Sequence, residues 1–135
     1  VPLDAPSLDP VWDAVEGLGI PVAWLPGSSP AAREEMVRLL EARPEVPFVA
    51  LDLAGLGRDP AALGALLIRL PNLHVDTAGS IPDMARDPAT ARELLTAHAD
   101  RVLLGSVHPV RVAAGPADHL LAQRCLHRHA AHPGR

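Results

Sequence analysis

Two aspartates are spaced like the carboxylates of a site in an α/β fold. Asp52 follows the apolar segment PFVAL and Asp76 follows LHV, with a glycine-containing turn and an apolar helical pattern between them. Parallel sheets place their binding groups beyond the carboxyl ends of their strands, so we expect both carboxylates at one edge of a sheet. Two carboxylates alone favour a hard cation such as magnesium, held through water. Asp52 and Asp76 are therefore candidate catalytic residues.

Two histidines lie near the same predicted edge, and one of them is a candidate for proton transfer or ligation. His108 follows the fourth predicted strand, where a neutral imidazole suits a general base or a metal ligand; the alternative is a solvated loop histidine. His74 precedes Asp76 by two residues, so both side chains point to one side of the strand. His74 is alternatively a hydrogen-bonded core residue. We keep His108 with Asp52 and Asp76 as the candidate catalytic set.

The segment GLGRDP, from Gly55 to Pro60, has the outline of a dinucleotide-binding turn. It follows a predicted strand and opens a helix, and Asp76 ends the next strand about twenty residues later. However, a proline replaces the final glycine, and Asp59 brings negative charge to the place where a pyrophosphate would bind. A glycine turn followed by an aspartate helix cap is the favoured interpretation, and nucleotide binding stays an alternative.

The composition excludes several functional classes. All 12 cations are arginine, which excludes a Schiff-base lysine and a phosphate-binding lysine. With 16 acidic residues, a net charge of −4 and 2% aromatic residues, the chain is not expected to bind nucleic acid. Cys125 is the single cysteine and closes no internal disulfide. No apolar run reaches about 18 residues, so we expect a soluble, cytoplasmic protein without a membrane partner.

The spacing of apolar and turn residues predicts one α/β domain over residues 1–135, with a lead-in at 1–9 and a tail at 131–135. Helices are expected to start at Asp9-Pro10, at Ser28 or Ser29, at Asp59-Pro60, at Asp87-Pro88 and at Pro116, with a helical turn at Ile81 to Ala85. Strands are expected at Ile20 to Leu25, which is predicted to be buried, and at Val46 to Leu53, Leu73 to Thr77 and Arg101 to Ser106. This alternation indicates parallel (βα) repeats with four strands.

Two phrases carry a resemblance to a known family. LPNLHVDTAGSIPDMARDP and DRVLLGS resemble the amidohydrolase-related metal-dependent hydrolases, in the branch that includes aminocarboxymuconate-semialdehyde decarboxylase. The similarity extends over nearly the whole chain up to about Val107. It implies strands five to eight of a (β/α)8 TIM-type barrel, which is half of the barrel.

The positions that bind metal in this family differ here. The resemblance implies a histidine ligand where this chain has Leu25, a second where it has Asp52, and an aspartate where it has Val107. Leucine and valine offer no lone pair, which leaves Asp52 as the candidate metal ligand. We expect no cofactor in this chain alone, and a zinc or manganese ion only if a complementary half supplies ligands.

A half barrel has two open edges and an uncovered inner face, so we expect a homo-oligomer or a complementary half-barrel chain as partner. The alternative is a flatter sheet with helices on both sides. The favoured function is that of a degenerate amidohydrolase-like domain, which lacks metal-dependent catalysis and acts through assembly or by binding a small carboxylate. A working fragment of a metal-dependent hydrolase or decarboxylase and a nucleotide-binding module are the alternatives.

Overall fold

The computed structural model describes residues 2–25 and 29–105, which alternate between helices and strands as predicted. The lead-in forms a 3-10 turn, Pro6–Leu8. The helices are α1 Asp9–Leu18, α2 Pro30–Ala42, α3 Pro60–Arg69, α4 Ile81–Met84 and α5 Pro88–Ala97. The strands are β1 Val22–Trp24, β2 Phe48–Ala50, β3 Leu73–Asp76 and β4 Val102–Leu103. The predicted helix from Pro116 to about Ala130 and the loop residue His108 lie outside the described residues.

The four strands form one parallel sheet in the order β1-β2-β3-β4. Val22 pairs with Phe48, Phe48 with Leu73, and Val75 with Val102. Each strand is therefore placed beside the one before it, always in the same direction, as in a (β/α) barrel. In a doubly wound nucleotide-binding sheet the strands are also parallel, but the side on which each new strand is added changes at a switch point.

The helices cover one face of the sheet. Phe48, Ala50, Leu73 and Val75 point to this face and are buried in one core with apolar residues of α2, α3 and α5. The residues between them point to the other face and are only half-buried, for example His74. Within residues 2–25 and 29–105 the arrangement is that of a partial barrel, and the alternative with helices on both faces is wrong.

Three helix starts use the device that the sequence predicts, a capping side chain followed by proline. The Ser29 hydroxyl accepts a hydrogen bond from the Ala32 amide at 3.4 Å, and the Asp59 carboxylate accepts one from Ala62 at 3.0 Å. Asp87 caps α5 in the same way. Asp9, by contrast, does not cap α1, because Leu8 already has a helical backbone and Asp9 lies in the first turn.

The strands are shorter than predicted. β1 spans Val22–Trp24 and is not buried, because it is the first strand of the sheet and its outward side has no neighbour in the described residues. β2 ends at Ala50 rather than Leu53, because the backbone turns left-handed at Asp52. β3 and β4 are likewise trimmed by one or more residues at their predicted ends.

Candidate functional site

Asp76 is the last residue of β3 and projects at the carboxyl edge of the sheet, as predicted. Its Oδ1 accepts a hydrogen bond from the Ala78 amide at 2.8 Å. Its other oxygen lies directly over Gly105, since a Cβ built on that glycine would be 1.8 Å from Oδ2. A residue with a side chain at position 105 would displace the carboxylate, so Gly105 fixes where Asp76 sits.

Asp52 is not at the end of a strand but two residues beyond it, in a left-handed 3-10 turn. Asp52, Leu53 and Ala54 have φ values of 55°, 50° and 57°, and Gly55 continues the turn at 70°. A left-handed backbone costs roughly 1–2 kcal/mol for each residue that has a Cβ. Such a turn persists only where its surroundings stabilise it, and the side chains of Leu53 and Ala54 are buried in the core.

Ser80 holds the carboxylate of Asp52. Its buried hydroxyl donates a hydrogen bond to Asp52 Oδ1. The same oxygen lies against Gly79, which has a φ of +83° and whose Cβ would be 3.1 Å from it. Sequence reasoning missed Ser80, because it lies 28 residues from its partner and no local pattern links the two.

Thr77 ties the ends of β3 and β4 together. Its buried hydroxyl accepts a hydrogen bond from the Gly105 amide at 3.2 Å. Because Gly105 also supports Asp76, this bond fixes the spacing of the two strand ends beneath the carboxylate. Thr77 and Gly105 are therefore positioning residues of this edge.

Three other residues lie at or near the open face of the sheet. His74 lies on the same face as Asp76 and is half-buried. Leu103 pairs with Asp76 in the sheet register and is 46% exposed, and Leu25 is exposed just after β1. His108 and Val107 lie outside the described residues.

The donor atoms that the described residues bring to this edge do not by themselves make up a zinc site. Zinc requires three or four ligands with lone pairs, whereas residues 2–25 and 29–105 contain no group of three or more histidine, cysteine, aspartate or glutamate side chains placed to hold a metal ion. Asp52 and Asp76 each already accept a local hydrogen bond, from Ser80 and from Ala78. Leu25, at the position where the resemblance implies a histidine, offers no lone pair.

Known proteins share both the sequence pattern and the fold. The family model for amidohydrolases matches residues 1–129. The chain belongs to the amidohydrolase family. A solved structure, an uncharacterised TIM-barrel protein from Bordetella bronchiseptica, matches with a TM-score of 0.62 and 20% identity, over 91% of this chain and 53% of that one. This amidohydrolase chain thus spans about half the length of that barrel, and no curated protein matches it.

Two further observations bear on the alternatives. The carboxylate of Asp59 occupies the start of α3, and Gly57 faces Ser80 with its Cβ position 3.1 Å from that side chain. Together with the sequential strand order, this arrangement disfavours a nucleotide at the turn.

In the described part of the chain, every helix is too short or too polar to cross a membrane.

Proposed function

We propose that this amidohydrolase half barrel functions through assembly, with a complementary four-stranded half closing over the open face of its sheet. The observation that carries the proposal is the position of Leu103. This side chain is 46% exposed and lies in register with the carboxylate of Asp76. Leu25, which follows β1 at the same edge of the sheet, is 60% exposed, and exposed apolar residues that occur together rather than singly are typical of a surface that another structural unit covers.

Helix α1 supports the same proposal from the other end of the sheet. Trp12 packs into the core of this chain, which accounts for one apolar face of the helix. Val11, Val15 and Leu18 follow at i, i+4 and i+7 and form a second apolar stripe, in which Leu18 is 70% exposed. A helix that is apolar on two faces packs between two layers. The second layer is supplied by the partner.

The proposed activity depends on what the complementary half contributes. The described part of this chain brings the carboxylates of Asp52 and Asp76, with no group of three or more donor side chains placed to hold a metal ion. We propose that zinc or manganese, and with it hydrolysis or decarboxylation, enters only with histidine ligands from the partner. A small carboxylate has less support as a ligand at this edge, because Asp52 and Asp76 would repel it.

Sedimentation of matched glutamate variants tests the assembly. In a purified sample, only a second copy of this chain can act as the complementary half. We therefore expect the unaltered protein to associate as its concentration rises. Leu103→Glu and Leu18→Glu place charge in the two proposed contacts and should raise the dissociation constant by roughly tenfold or more. Ile68→Glu is the matched control, since Ile68 is 75% exposed near the carboxyl end of α3.

A compact monomer at high concentration, unchanged by the first two variants, would contradict assembly through this face. Metal content is measured by mass spectrometry on the same sample, purified without chelator or affinity tag. Substoichiometric zinc and manganese are expected for this chain alone. Near-stoichiometric metal in a monomer would show that its own residues complete a site, and the proposal of a non-catalytic half would be wrong.

A further inference from the structure

We infer that a cavity on the helix-covered side of the sheet binds a small molecule with an apolar body and one carboxylate. The cavity has a volume of about 320 Å³ and lies between the left-handed turn and helices α3, α4 and α5. That volume is at the lower end of the range for ligand pockets. The site is separate from the open face and does not depend on assembly.

The interior of the cavity is apolar. Leu53, Leu63 and Leu94 belong to the core of the domain, and Leu56 and Met84 pack against that core. Met84 is flexible and polarisable, which suits a wall that adapts to an aliphatic or aromatic group. This lining takes a hydrocarbon body and disfavours a polar one.

Two arginines at the mouth of the cavity share one carboxylate, so their combined positive charge is only partly neutralised. Arg58 Nε lies 2.9 Å and Arg86 Nε 3.4 Å from the same atom, Asp83 Oδ1. In the described ranges, no hydrogen bond joins the terminal nitrogens of either guanidinium to another residue, and the two side chains are 71% and 69% exposed. Asp83 thus orients both arginines and leaves N–H groups for a carboxylate, which guanidinium binds in bidentate geometry.

The other carboxylate at the mouth is already engaged. Asp87 accepts hydrogen bonds from the Thr90 amide at 3.1 Å and from the Thr90 hydroxyl at 2.6 Å. These bonds hold the pKa of Asp87 below its ordinary value. Asp87 therefore serves as the cap of α5, and the guanidiniums remain available to an anion that enters from solvent.

The two methionines of the chain provide an internal test. Met84 lines the cavity, whereas Met36 is fully buried in the core elsewhere. The full chain, labelled with carbon-13 in its methionine methyl groups, is titrated with phenylbutyrate and followed by NMR. We expect the Met84 signal to shift in a saturable way while the Met36 signal stays in place. Phenylbutylamine, which has the same apolar body and the opposite charge, should bind at least roughly tenfold more weakly.

Variants locate the binding. Arg58→Gln and Arg86→Gln should each weaken phenylbutyrate binding by roughly tenfold, and Ala91→Phe should abolish it by filling the cavity. Arg92→Gln is the control, because Arg92 lies on α5 outside the cavity. An unshifted Met36 signal verifies that each variant is folded.

Two results would overturn the inference. One is the lack of a saturable Met84 shift with phenylbutyrate. The other is a shift that survives Arg58→Gln, Arg86→Gln and Ala91→Phe but disappears in Leu103→Glu, which would place the ligand on the open face. Neither result bears on assembly, which sedimentation measures separately.

Discussion

The two faces of the sheet use apolar residues in different ways. On the helix-covered face, Phe48 and Val75 are fully buried and pack in one core with α2, α3 and α5. On the open face, Leu103 is 46% exposed beside the half-buried Asp76. Burial of apolar area stabilises the fold, so the stability of this chain is concentrated on the covered face. The open face contributes little to it and is available for assembly.

The largest expected effect is the difference in stability loss between truncations on the two faces. Phe48→Ala should lower the free energy of unfolding by about 3–5 kcal/mol, because it leaves a cavity in the core. Leu103→Ala should lower it by only about 1 kcal/mol in the dilute chain, because Leu103 is 46% exposed and leaves no closed cavity when truncated. Urea denaturation at low protein concentration measures both. Equal losses for the two variants would show that the open face is already covered.

A second effect concerns the edge where the two faces meet. Gly105→Ala forces a methyl group into the Asp76 carboxylate and should destabilise the chain by about 1–3 kcal/mol. Gly17→Ala is the control, since a Cβ there meets nothing within 4 Å and lies within α1. That change should stabilise the chain by about 0.5–1 kcal/mol. If Gly105→Ala were neutral by the same measurement, Asp76 would not be seated as described.

A third effect concerns the left-handed turn. Asp52→Ala removes the acceptor of the buried Ser80 hydroxyl and should cost about 1–2 kcal/mol. Asp52→Asn keeps an oxygen acceptor and tolerates a left-handed backbone, so its cost should be smaller. Thermal unfolding of the two variants compares them. A larger loss for asparagine would mean that the charge, and not the hydrogen bond, stabilises the turn.

The smallest expected effect is the pH dependence of the stability that Asp87 contributes. The hydrogen bonds from Thr90 lower the pKa of Asp87 from its ordinary value of 3.8. A carboxylate with a lowered folded pKa adds stability above its unfolded pKa and loses it as the pH falls through the folded pKa. Asp87→Asn should therefore be less stable than the unaltered protein near neutral pH.

The lowered pKa of Asp87 also sets the pH range in which the two proteins should differ in their free energy of unfolding. This difference should shrink as the pH falls below about 4, since the unaltered protein then loses the contribution of the carboxylate. Urea denaturation between neutral pH and about pH 3 follows the difference. A constant difference across that range would contradict the role of the Asp87 carboxylate as a charged cap.

The sequence by itself determined the order of helices and strands, three helix caps and the family. These features depend on residues close together in the chain: Ser29, Asp59 and Asp87 each bond an amide three residues away. The sequence also placed Asp76 at the end of its strand.

The tertiary structure alone decided how the site is held. The bond between Ser80 and Asp52 and the bond between Thr77 and Gly105 each span 28 residues, a separation at which no local pattern specifies a partner. The left-handed turn at Asp52 is unfavourable locally and is stabilised by burial of Leu53 and Ala54. The cavity beside Met84 likewise exists only because the left-handed turn and helices α3, α4 and α5 pack around one space.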